Sequence, residues 1–164
     1  MSSLITATFK TRAEAEEALS RIEALGISDE QVSLVVTDET RGNSFNIEKG
    51  TKIDEGAAAG ATAGGIIGAI IGSLATATAV TIPGLNVVVV GSAISILAGL
   101  GAGAASGGFV GALVGAGIDE HEAKIYEDEI KNGSVLLAVK AENDEQKDQI
   151  TDIFERNNAH NLAA

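Results

Sequence analysis

Between Glu55 and Asp119 run 63 consecutive residues, Gly56 to Ile118, with no Asp, Glu, Lys, Arg or His. A stretch that long and that free of charge cannot form the wet surface of a soluble domain, so it must pack against protein or lipid. Its glycines set the manner of packing. Gly56, Gly60, Gly64, Gly68 and Gly72 recur every four residues, and Gly99, Gly103, Gly107, Gly111 and Gly115 repeat the pattern. Each glycine in a helix costs about 1 kcal/mol relative to alanine, and close backbone approach between helices is the compensating gain. Pro83 and Gly84 lie between the two series and mark a turn. The block therefore reads as a glycine-zipper helical hairpin.

The two flanking segments carry the whole net charge of −12. In the first, Leu4 to Phe9 reads as a strand and Thr11 with Glu14 has capping-box spacing. Ala15, Ala18, Leu19, Ile22 and Leu25 line one helical face, and Gly26 stops the helix. Gln31 to Val36 is the next strand, and the polar stretch Thr37 to Gly50 reads as a loop. In the second, Asp119 and Glu122 open a helix with Ala123, Tyr126 and Ile130 on one face, ended by Asn132 and Gly133. Ser134 to Lys140 is a strand, Asn143 with Gln146 opens a helix carrying Ile150, Ile153 and Phe154, and Ala159 to Ala164 supplies a short edge strand.

Neither arm buries enough apolar surface alone. Joined, they form an α+β domain of the ferredoxin-like split βαβ type, interrupted by the hairpin. The expected organisation is residues 1–50 as its first half, 51–118 as the hairpin and 119–164 as its second half. Both hairpin ends return to one domain, so any membrane is crossed an even number of times. Helices over Asp54–Val80 and Val87–Gly117 would rise about 40 and 46 Å, against a hydrocarbon core of about 30 Å. Arg41, Lys49, Lys52, Lys124 and Lys131 flank the block at its domain end, which would place the domain in the cytoplasm. A second row of small residues beside each glycine row, Ala57 to Ser73 and Leu100 to Ala116, points to contacts with further copies and a homo-oligomer.

The stretch Ile82 to Ala141 resembles the bacterial general stress protein and low-temperature-induced protein family. The features that carry the likeness are the Ile82-Pro83-Gly84 turn, the glycine series running into Gly117-Ile118, the acidic helix with Glu122, Ala123 and Tyr126, and Gly133 before a strand. The resemblance implies a stress-induced, membrane-associated protein with no assigned catalytic residue. The chain departs from the pattern at its end, where the last strand is short.

Several chemistries find no support. The acidic arms and singly scattered Lys and Arg argue against nucleic acid. With no cysteine and only His121 and His160, no spacing suggests zinc, and Glu127, Asp128 and Glu129 point in different directions on one helix. The glycine-rich strings lack the Lys-Ser/Thr ending of a phosphate loop. The N-terminus has no basic start and apolar run typical of a cleaved signal. The sequence thus leads to a noncatalytic, membrane-anchored protein that self-associates through its zippers and needs no cofactor. The alternative is a soluble ring, tube or shell whose hairpins form a shared protein core, and a third reading is a small-molecule sensor, by fold analogy.

Overall fold

The computed structural model describes residues 3–45, 69–70, 72–74, 80–82, 85–91 and 104–164. Six strands form one antiparallel sheet: β1 Ser3–Phe9, β2 Val32–Thr37, β3 Val80–Ile82, β4 Leu85–Gly91, β5 Val135–Ala141 and β6 His160–Ala163. Their spatial order is β3-β4-β2-β5-β1-β6. The helices whose bounds are described are α1 Arg12–Ala24, α2 Asp38–Phe45, α3 Ala104–Gly115, α4 Glu120–Lys131 and α5 Asp144–Arg156. The architecture is mixed α and β, as the sequence predicts.

Alternation along the strands divides the apolar residues between two faces. Ile5, Ala7 and Phe9 of β1, Val32, Leu34 and Val36 of β2, and Val135, Leu137 and Val139 of β5 point to one side. There they meet Ala15, Ala18, Leu19 and Ile22 of α1 and Ile150, Ile153 and Phe154 of α5, with Phe9 and Phe154 in an edge-to-face contact at 5.4 Å. Val35, Val87, Leu136 and Ala138 point to the other side, against Ala123, Tyr126 and Ile130 of α4 and Phe109, Ala112 and Leu113 of α3. Both faces of the central strands are therefore covered.

Helix ends follow the expected chemistry. Thr11 and Glu14 form the capping box, and Asn143 accepts from the Gln146 amide at 2.8 Å. Asp119 caps α4 through the His121 amide, one residue earlier than box spacing requires. At the end of α3 the Ile118 amide bonds the Leu113 carbonyl at 3.0 Å and Gly117 the Val114 carbonyl at 3.0 Å, with Gly117 at φ +99. This is a Schellman stop, closed by the buried pair Leu113 and Ile118.

Three expectations are corrected. The helix expected over Val87–Gly117 gives way at its start to β4, which pairs with β2 from Ser33↔Gly91 to Thr37↔Val87. Four consecutive valines, Val87 to Val90, divide between the two covered faces, so the strand reads as an unbroken apolar run and shows no alternation of polarity. The same helix is broken farther on, because Gly108 sits at φ 60 and ψ −140 within α3. The loop expected from Thr37 begins instead with α2: Thr37 Oγ1 accepts from the Thr40 amide at 3.0 Å, and Asp38 and Glu39 occupy the dipole-favoured first turn.

Gly91 is the glycine the sheet cannot replace. Its φ is +89, and a Cβ there would lie 2.0 Å from the Val32 carbonyl oxygen. Gly91→Ala should cost about 3 kcal/mol or more, from backbone strain plus overpacking. Gly26→Ala, at φ +82 but with nothing within 4 Å, should cost only about 1 kcal/mol. Denaturant unfolding of the two variants checks this; equal losses would refute the close approach of β4 to β2.

Candidate functional site

Most of the charge-free block's described residues are fastened to the domain. Residues 69–70 and 72–74 are helical, and Ile70 and Leu74 join the core beneath Val36, Val88 and Val90. Arg41 of α2 is buried at 1 % exposure, donates to the Leu74 carbonyl at 3.2 Å and pairs with Asp38. A buried guanidinium requires such partners, and these tie α2 to the end of the first glycine series. Arg41, one of the basic residues that flank the block in the sequence, is thus buried in the domain. Lys124 and Lys131 face water in i,i+4 ion pairs with Glu120 and Glu127, and Lys49 and Lys52 lie outside the described residues.

The predicted packing glycines divide in the same way. Gly56, Gly60, Gly64, Gly68, Gly99, Gly103, Pro83 and Gly84 lie outside the described residues. Gly72 is described, and nothing lies within 4 Å of the position its Cβ would take. Gly107, Gly111 and Gly115 belong to α3. Phe109, Ala112 and Leu113 hold α3 against the sheet. At roughly 100° per residue, Gly111 and Gly115 then fall on the opposite side of the helix. Gly115 is exposed, Gly111 half-buried, and Val114 between them is 43 % exposed, the one large hydrophobic so exposed among the described residues. Gly111 and Gly115 of the second series thus face away from the sheet. The four-residue repeat points to the glycines, but only the inward set Phe109, Ala112 and Leu113 tells which way they face.

A buried polar cluster surrounds Tyr126, which the sequence shows only as an apolar-face residue. Its side chain is fully buried between α4, β1 and β6. The phenol oxygen lies 2.8 Å from Thr6 Oγ1, 2.7 Å from the Asn161 carbonyl and 3.3 Å from the Thr6 carbonyl. Both short contacts are satisfied if Thr6 Oγ1 donates to the phenol oxygen and the phenol's own proton goes to the Asn161 carbonyl. Beside it Thr8 Oγ1 donates to the His160 carbonyl at 3.1 Å, and Asn161 Nδ2 reaches Thr8 Oγ1 at 3.5 Å. Burial pushes the phenol's pKa up to about 12, with the Glu122 carboxylate adding to the rise and the Thr6 hydrogen bond opposing it.

Among the described residues, no three of His, Asp or Glu group as metal ligands, and no helix is long and apolar enough to cross a membrane. His121 and His160 are exposed and sit on separate elements. No family model, curated protein or solved structure matches the chain.

The Tyr126 contacts make stability depend on alkaline pH. The folded pKa lies above the unfolded value near 10, so the stabilisation is complete below pH 10 and is lost as pH rises toward about 12. Two units correspond to about 3 kcal/mol. Urea unfolding across this range should show wild type losing its advantage over Tyr126→Phe, which removes the titrating group. Because Tyr126 is the only tyrosine and there is no tryptophan, ultraviolet titration reads its ionisation directly. A parallel decline of both proteins, or ionisation near the ordinary value, would contradict the buried network.

Proposed function

We propose that this chain is a noncatalytic self-assembling protein, a ferredoxin-like domain whose copies join through the glycine surface of its charge-free block. The strand order β2-β5-β1-β6, with α1 and α5 on one face, supports the split βαβ reading; β4 and β3 extend the sheet beyond β2. The resemblance of Ile82 to Ala141 to bacterial general stress proteins supports a structural role under stress over a reaction.

The observation that carries the assembly is the outward glycine row of α3. Gly111, Val114 and Gly115 contribute nothing to the sheet core yet present a small, apolar face. The same structure favours a shared protein core over a two-span anchor. A span of the roughly 30 Å hydrocarbon core takes about 20 residues of helix. Ile70, Leu74 and the β3–β4 strands, which a hairpin of two spans would need, lie in the sheet domain.

Full-length protein should remain in the supernatant after lysis without detergent and form large, discrete, lipid-free particles by native mass measurement. Recovery only with detergent would restore the membrane anchor and overturn this reading. Gly111→Leu should shift the particles to smaller species while leaving the far-ultraviolet dichroism unchanged, because the added side chain projects away from the sheet. Wild-type particle size in that variant would remove α3 from the interface.

A further inference from the structure

β6 is bound to the sheet differently from every other strand. It meets β1 at only two ladder positions, Thr6↔Ala163 and Thr8↔His160, with a register shift between them. By contrast β1 and β5 pair continuously from Ser3↔Ala141 to Phe9↔Val135. His160 and Asn161 are exposed and Ala163 is half-buried, so within the strand only the half-buried Leu162 packs against the core beneath α1 and α5. Asn161 holds φ 53, a left-handed backbone that a non-glycine residue adopts at a cost. Besides Leu162, what fixes β6 is polar: the phenol of Tyr126 on the Asn161 carbonyl, Thr8 on the His160 carbonyl, and Asn161 Nδ2 on Thr8.

A strand with few apolar contacts and a handful of hydrogen bonds belongs to the low end of local stability, whereas the doubly covered β5 belongs to the high end. The geometry points to β6 as a strap latched by Tyr126, which detaches without unfolding the sheet and can be exchanged between two copies of the chain. Detachment uncovers the β1 edge, a row of unpaired backbone groups that another strand can join. The strand best fitted to it is β6 of a second copy, since every contact is then reproduced: the same bulged register, the same Tyr126 and Thr8 acceptors. Tyr126 remains held by Thr6 when β6 leaves, so the latch is preformed for the incoming strand.

Hydrogen exchange on the full-length protein reads the detachment. Amides of His160 to Ala163 should exchange about a hundredfold or more faster than those of Val135 to Ala141, with little dependence on denaturant. Equal rates and equal denaturant dependence would make β6 part of one cooperative unit and overturn the strap. The chain has no cysteine, so engineered thiols report the exchange between copies without ambiguity. A mixture of Thr8→Cys and His160→Cys proteins should form disulfide-linked hetero pairs under mild oxidation. The double variant closing within one chain confirms that the two positions can bridge. Closure in the double variant without hetero pairs in the mixture would overturn exchange. Added to both partners, Tyr126→Phe should speed hetero-pair formation about tenfold, the loss of one hydrogen bond, while Ile22→Val on the other face should leave it unchanged. Equal acceleration by both would mean whole-chain unfolding and would also overturn the strap. None of these readings depends on the α3 glycine face.

Discussion

The central strands β2 and β5 are apolar on both sides, and the rest of the fold answers that constraint. Val32, Leu34 and Val36 require cover on one face and Val35 on the other; Leu137 and Val139 oppose Leu136 and Ala138 in the same way. Two helices from the acidic arms, α1 and α5, cover the first face. The second face has no cover in a simple β-α-β-β-α-β arrangement. It is supplied by α4 and by α3, the latter drawn from the charge-free block. The α3 part of the block is therefore part of the domain's own core, whatever else the block does.

Buried polar side chains among the described residues are matched to partners, and two of the matches join segments far apart in sequence. Arg41 links α2 to Leu74 across the first glycine series. Tyr126 links α4 to β1 and to β6. Among the described residues no buried side-chain nitrogen or oxygen is left unpaired. Such pairs add modest net stability, but losing one partner strands the other in a dry interior, so they fix which segments meet. The exposed i,i+4 pairs, such as Arg21 with Glu17 and Arg156 with Asp152, contribute little and decide nothing about topology.

The arms were legible in the sequence because their signals are local. Thr11 with Glu14, Gly26, Asn143 with Gln146 and Gly133 each act within one helical turn, and each does in the structure what its chemistry dictates. The short edge strand expected at Ala159 to Ala164 is present as β6. The block was less legible. A four-residue glycine period drew the second helix back to Val87, although four successive β-branched residues are the better signal for a strand buried on both faces. Gly108 carried no local sign that it would break α3, since it stands among glycines of helical spacing. The role of Tyr126 was hidden for another reason. Its partners Thr6 and Asn161 are 120 and 35 residues away, and only the sheet order brings them together.

α3 and α4 make a natural comparison, since they are consecutive, pack on the same face and are joined by the Gly117 stop. α4 has the outer surface expected of a helix in water, with Glu120 to Lys124 and Glu127 to Lys131 ion pairs one turn apart. α3 instead presents Gly111, Val114 and Gly115, without a charge. Nothing in the domain's own packing demands the difference, because the inward residues of both helices are ordinary apolar ones. Replacing two outward glycines by alanine or lysine would strengthen the helix by about 1 kcal/mol each if water were the only neighbour. A helix that forgoes that gain on its outer side, next to one that does not, supports the assembly proposed for the α3 face.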